Sequence, residues 1–395
     1  MSPRTTDGAR PGAHDERADE RGDDLRAVRP GASRPGSADP AARLHLAARL
    51  EDAFDRRVAA VLRRRGWTLR IEPYAGYGAP GWVRVFARTL LAAPVVHEED
   101  LPGAGAAAQA GARTAAALRG WRSFATAQVA GAHLEVRVGE RVHHVVTDRG
   151  GYLDVRLESD LEPGWHDVEL RAADGAFATA PVHVIGPDVR SGIVSDIDDT
   201  VLITRLPRIF VAAWNTLVRH ENAREPVPGM AGLYARLVAG RDLPVVYLST
   251  GAWNAAPAIG RFLRRFGFPP GPMLLTDWGP TNTGWFRSGR EHKLSQLRRL
   301  TEELPQVSWV LVGDDGQHDP QIYAHAAQER PERVRAILVR QLTFAEHVLA
   351  HGLPVPASGS VRAEDRASRG GIPVLQGADG YELLRAVQRA QITLE

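Results

Sequence analysis

The 395-residue chain contains no cysteine, which excludes disulfides, thiolate zinc sites and cysteine nucleophiles. Lysine is nearly absent as well: of 49 basic residues only Lys293 is a lysine. No apolar run approaches the roughly 18 residues that suggest a membrane-spanning helix. The first residues are polar and charged, without the apolar core of a secretory signal, so a cytoplasmic protein is expected. Excess charge is lacking too. With 49 basic and 47 acidic residues the formal net charge is +2, and no global field argues for nucleic acid as a partner. Hydrophobic residues make up 44% of the chain, ample for a core, and the length suggests two or three domains.

Composition and periodicity divide the chain. Residues 1–40 hold almost no large apolar side chain and are expected to be a disordered tail, unable to offset their ordering entropy. Within 41–66, Leu44, Ala47, Leu50, Phe54, Val58 and Leu62 recur at helical spacing and predict an amphipathic helix. Residues 67–187 are strand-rich. Val83, Val85 and Ala87 alternate with Arg84, Phe86 and Arg88, and short runs follow between turn signals such as Pro163-Gly164 and Asp174-Gly175. That texture predicts a small antiparallel β-sandwich, with the Ala/Gly-rich stretch 102–117 as a long loop or insertion. Gly76-Tyr77-Gly78-Ala79-Pro80-Gly81 matches a dinucleotide fingerprint, but it contains proline and runs into a strand rather than a helix, so it is read as a turn. From 188 to 345 strands alternate with helices, which predicts an α/β doubly wound parallel sheet whose ligands bind at the carboxyl ends of its strands. Residues 346–395 read as a polar linker followed by a short strand and helix.

The chemistry is carried by strand ends. Gly192-Ile193-Val194-Ser195 delivers Asp196-Ile197-Asp198-Asp199-Thr200, two carboxylates two residues apart and then a hydroxyl. Like charges this close repel unless a cation or a shared proton lies between them. A second apolar strand, Val245–Leu248, ends in Ser249-Thr250-Gly251, suited to donating hydrogen bonds to a phosphoryl oxygen. A third, Trp309–Val312, ends in Gly313-Asp314-Asp315, followed by Asp319. Hard oxygen ligands of this type suit Mg²⁺. Lys293 survives in a chain that otherwise uses arginine, and a compact ammonium is not interchangeable with a planar guanidinium at a tight phosphate site.

The spacing D-x-D-x-T, followed by a hydroxyl strand end, a lysine on a helix start and an acid pair, resembles the aspartate-dependent phosphohydrolases of the haloacid dehalogenase superfamily. Within it, Ile193–Leu202 and Gly313–Tyr323 look like the actin-patch-protein type of phosphatidate phosphatase, a lipin-like branch, over roughly residues 70–345. The Asp277-Trp278-Gly279 step and the Tyr74–Gly78 turn add to the likeness. Ser249-Thr250-Gly251-Ala252-Trp253-Asn254 departs from a family Ser-Ser-Ser-Pro-Trp-Asn, and Asp315 stands where bacterial members usually carry serine; it is expected to face solvent.

The resemblance implies a haloacid dehalogenase-like catalytic domain and a set of roles. Asp196 is the nucleophile and Asp198 the general acid and base. Mg²⁺ is held by Asp196, the Asp198 carbonyl and Asp314. Ser249, Thr250 and Lys293 bind the phosphoryl oxygens. Asp319 orients Lys293 or a metal-bound water, Thr200 ties down the loop after the nucleophile, and Asp199 is either a helper or a plain turn residue. The implied substrate is an anionic lipid phosphomonoester, with phosphatidate converted to diacylglycerol. A phosphatase of a soluble phosphomonoester stays open, as does a non-catalytic phosphatidate-binding protein, although the latter could dispense with Asp196. Residues 203–219 combine Phe210, Trp214 and Leu217 with Arg205, Arg208 and Arg219, so they either pack on the sheet or lie at the membrane surface as a peripheral contact. No residue pattern specifies an oligomeric state.

Overall fold

The computed structural model describes residues 57–93, 127–203, 225–276, 289–316, 318–343, 346 and 371–394. The tail 1–40, most of the 41–66 helix, the 102–117 stretch, all of 203–219 but Ile203, the Asp277–Gly279 step and nearly all of the linker lie outside them. Among the described residues no helix is long and apolar enough to cross a membrane.

The strand-rich half corrects the sandwich expectation. Its strands are β1 (Thr68–Ala79), β2 (Trp82–Ala92), β3 (Ala127–Gln128), β4 (His133–Val138), β5 (Arg141–Val146), β6 (Tyr152–Glu158), β7 (Gly164–Ala172) and β8 (Phe177–Val184). They form one mixed sheet, ordered β3-β2-β1-β8-β7-β4-β5, with β6 also paired to β2. The cause lies in β1, which pairs antiparallel with β2 and parallel with β8, from Gly76↔Val182 to Gly78↔Val184. That parallel pairing joins what would otherwise be two separate sheets. The Gly76–Gly81 segment is therefore not a turn throughout: β1 continues to Ala79, and only Pro80-Gly81 reverses the chain. A Cβ on Gly76 would sit 2.2 Å from the Arg84 carbonyl oxygen, so the glycine serves close backbone approach rather than reversal.

Both faces of β1 and β2 are buried. One face sends Ile71, Val83, Val85 and Ala87 into a core with Val136, Val168 and Leu170. The other sends Tyr74, Tyr77, Trp82 and Phe86 into a larger core with Ile193, Leu248 and Trp253. The side that carries Arg84 and Arg88 is thus an internal face, and its charges find partners there. Arg84 donates to Asp154 at 2.5 Å and to Glu303 at 2.6 Å, and the Tyr77 hydroxyl donates to Glu303 at 2.5 Å.

In the second half, β9 (Ser191–Ser195), β10 (Val245–Ala252), β11 (Met273–Thr276), β12 (Ser308–Asp314), β13 (Val334–Arg340) and β14 (Val374–Gly377) form a six-stranded sheet, every adjacent pair parallel. The order is β11-β10-β9-β12-β13-β14. Helices α1 (Met230–Val238), α2 (Ala256–Arg265), α3 (Gly289–Glu303), α4 (Asp319–Glu329) and α5 (Gly380–Arg389) accompany it. Runs such as Ile193-Val194, Val245–Leu248 and Val310–Val312 are buried and apolar throughout, as expected of strands covered on both faces. The chain moves from β9 to β10 and β11 on one side, then crosses to β12 on the other. The crevice outside the carboxyl ends of β9 and β12 is where such a sheet accommodates ligands. The strand and helix after the linker are integral to this sheet: β14 pairs with β13, from Ile337↔Val374 to Arg340↔Gly377.

Candidate active site

Asp196 follows β9, with its backbone N–H still bonded to the Val312 carbonyl at 2.8 Å. Asp314 ends β12 and Asp319 opens α4, while Lys293 lies on the first turns of α3. All four side chains are buried, none more than 2% exposed. The Lys293 ammonium donates to Asp196 Oδ1 at 2.6 Å and to Asp319 Oδ1 at 2.5 Å. Asp314 Oδ1 accepts from the Gly316 N–H at 2.7 Å. Gly313 makes this assembly possible, because a Cβ there would lie 2.6 Å from Asp319 Oδ2.

The electrostatics are lopsided. Three carboxyl groups face one ammonium in a buried site, more acid than a single cation can balance. Burial drives the Asp196 carboxyl well above the usual carboxylate range; Lys293 pulls it back, and the Asp319 and Asp198 charges push it up again. Asp314 is also driven up, by burial and then by Asp319 and Asp196. For Lys293 burial opposes the charge, but Asp196 and Asp319 outweigh it and hold the ammonium above its ordinary pKa. Asp196, Asp314 and Asp319 each offer an oxygen within 4.8 Å of the others. Their Oδ2 atoms are buried without a hydrogen-bond partner among the described residues. Hard, anionic, unsatisfied oxygens converging in this way fit a divalent cation such as Mg²⁺.

The remaining predicted residues surround this cluster. Asp198 is half-buried, and its Oδ2 accepts from the Ser249 hydroxyl at 3.1 Å. Ser249 Oγ in turn accepts from the Gly251 N–H at 2.9 Å. Thr250 is half-buried, with its carbonyl bonded by the Thr276 hydroxyl at 2.8 Å. The loop after the nucleophile is held by backbone bonds, Asp199 N to Leu202 O at 2.8 Å and Val201 N to Ile197 O at 2.9 Å. Thr200 Oγ is buried and makes no hydrogen bond among the described residues. Asp315 does not simply face solvent: half-buried, it accepts the Leu342 N–H at 2.8 Å and so fastens the chain leaving β13.

Sequence reasoning missed Arg340, at the carboxyl end of β13. Its buried guanidinium donates to the Asp199 carbonyl at 2.6 Å and to Glu346 at 2.6 Å. Asp199 is left-handed at φ 56°, an uncommon conformation for a residue other than glycine, and Arg340 braces it. The only signal in the sequence was its position, a cation at the end of a parallel strand. Arg340→Met removes these buried bonds and is expected to cost about 1–3 kcal/mol of stability. The urea midpoint measures this, and an unshifted midpoint would show that the brace contributes nothing.

Residues 191–341 match the family described as phosphatidate phosphatase APP1, catalytic domain. Phosphatidate phosphatase APP1 of Saccharomyces cerevisiae is 26% identical over 200 residues, covering 49% of this chain and 34% of the yeast protein. An uncharacterized protein of Schizosaccharomyces pombe is 29% identical over 154 residues, 38% of this chain and 25% of that one. The chain thus spans about a third and a quarter of the lengths of these two curated relatives. A structure described as a novel carbohydrate acetylesterase from Xanthomonas citri aligns over 82% of this chain and 75% of that one, at 11% identity and a TM-score of 0.32. That likeness is too slight to carry an argument.

Proposed function

We propose that this protein is a Mg²⁺-dependent phosphatase that converts phosphatidate to diacylglycerol through an aspartyl phosphate on Asp196, in a haloacid dehalogenase-like doubly wound domain. The observation that carries the reading is the buried cluster of Asp196, Asp314, Asp319 and Lys293 at the β9/β12 crevice. The family of residues 191–341 and the name of the yeast relative support the substrate.

In this reading a carboxylate oxygen of Asp196 forms a bond to phosphorus as the bond to the leaving alkoxide breaks. Asp198, half-buried at the edge of the cluster, gives its proton to that alkoxide and then takes one from the water that cleaves the acyl phosphate. Two of the three ammonium donors of Lys293 hold Asp196 and Asp319, so the third can reach a phosphoryl oxygen. Ser249, already bonded to Asp198, adds a hydroxyl beside it. Bound Mg²⁺, held by Asp196, Asp314 and the Asp198 carbonyl, with Asp319 beside them, supplies charge neutralisation of the phosphoryl group.

Phosphate release from phosphatidate micelles, compared with a panel of soluble phosphomonoesters, tests the substrate and with it a peripheral contact with an anionic surface. Preference for the micelle supports the reading, whereas faster release from a soluble ester replaces the lipid by a soluble substrate. EDTA is expected to silence the enzyme and Mg²⁺ to restore it. Independently of activity, Mg²⁺ at a hundredfold its Kd is expected to stabilise the fold by about 2.7 kcal/mol. Asp314→Asn should lose that gain in a thermal melt. An equal Mg²⁺ shift in parent and variant would remove Asp314 from the metal site.

A further inference from the structure

The segment expected to bind phosphate is weakly held by its own sheet. β10 and β11 pair at Leu248↔Leu274 and next at Ala252↔Thr276, so Ser249, Thr250 and Gly251 bulge out of the ladder. Such bulges re-aim side chains, but their direction then depends on what anchors the chain beyond them. Here the anchor is Trp253. It is 9% exposed, and its ring lies against three rings from the other sheet: Tyr74 at 4.7 Å, Phe86 at 5.9 Å and Tyr152 at 6.2 Å between centroids. Beside it, the buried Arg88 guanidinium lies 4.3 Å above the Tyr152 ring and donates to the Asn254 side chain. The same face reaches the far end of the lysine-bearing helix, where Tyr77 and Arg84 bond Glu303 and where Arg299 donates to Asp154 on β6 at 2.8 Å.

We infer that the β1–β2–β6 face is a positioning device for the phosphate site, with Arg88 and the Tyr74–Phe86–Tyr152 box acting through Trp253-Asn254 to aim Ser249–Gly251 at Asp198. This assigns a role to the strand-rich half, and it rests on the phosphatase reading. Arg88 and Trp253 are positioning residues, since neither touches the acid cluster. Their removal acts by letting the bulge wander. A displacement of about 1 Å costs on the order of 10²-fold in rate.

The test uses the full chain and two readouts, inorganic phosphate binding in the presence of Mg²⁺ and kcat/KM on 4-nitrophenyl phosphate, each alongside Tm. Trp253→Ala is expected to weaken phosphate binding and to lower kcat/KM by on the order of 10²-fold. Trp253→Phe, which keeps a ring in the box, should restore most of both, and Arg88→Met should fall between. Leu170→Ala, inside the other core of the strand-rich half, is the control: it should lower Tm while leaving phosphate affinity unchanged. If Trp253→Ala does not fold, Arg88→Met decides alone. Parent-like phosphate affinity in the folded variants overturns the inference, as does an equal loss in Leu170→Ala. A parent that binds no phosphate with Mg²⁺ present would instead overturn the phosphatase reading beneath it.

Discussion

Asp196→Asn is expected to lower phosphate release by roughly 10⁴- to 10⁶-fold while leaving the protein folded, the scale on which covalent catalysts lose rate with their nucleophile. Asparagine keeps the shape of the side chain and an oxygen able to accept from Lys293, which lies 2.6 Å from Asp196 Oδ1 in the parent. What it cannot do is form an acyl phosphate. The substitution also removes one of three buried carboxylates, one whose charge pushes Asp314 up. The melting temperature without metal is therefore expected to hold or rise. Single-turnover release and a thermal melt measure the two effects separately. Release close to the parent's would show that Asp196 is not the nucleophile, and a collapsed melt would show that its charge is needed by the fold.

Lys293→Arg separates charge from shape. The lysine is 2% exposed, with Nζ placed between two carboxylates at 2.6 and 2.5 Å, and no other position in the chain uses this cation. Arginine preserves the charge but brings a planar fork into a site fitted to a point donor. A shift of about 1 Å in the phosphoryl group then costs on the order of 10²-fold in kcat/KM. Lys293→Met removes the charge altogether and leaves the carboxylates without a counter-ion, a loss of about 3–5 kcal/mol by the behaviour of broken buried pairs. Arginine is thus expected to affect rate far more than stability, and methionine both. Parent-like turnover in Lys293→Arg would make the lone lysine an accident of composition.

The parallel sheet was legible along the chain because its determinants are local. Unbroken apolar runs ending in acids or hydroxyls announce buried parallel strands, and the fold class itself brings their carboxyl ends together. Asp196, Ser249 and Asp314 could therefore be placed together from position alone, while Lys293 stood out as the one lysine of the chain. Asp319 was visible as an acid near the site, but its place as a third carboxylate in the cluster depends on Gly313 letting α4 approach β12. No motif encodes that distance.

The strand-rich half shows where such reading stops. Alternation in β2 correctly separated Val83, Val85 and Ala87 from Arg84, Phe86 and Arg88, but it could not say where the second set lies. A charged residue reads as exposed until its partner is known, and the partners that Arg84 and Arg88 find in the other half of the chain, Glu303 and Asn254, lie more than 160 residues away. Likewise the glycines of β1 signal a turn to any local rule, whereas they permit the approach of β2 and a parallel pairing with β8. The sequence by itself determined the strands of the parallel sheet and the acids and hydroxyls at their ends, because periodicity and residue type are properties of neighbours along the chain. Only the tertiary structure decided that both faces of β1 and β2 are buried and that the strand-rich sheet grips Trp253, because burial and pairing between distant segments depend on where the chain returns in space.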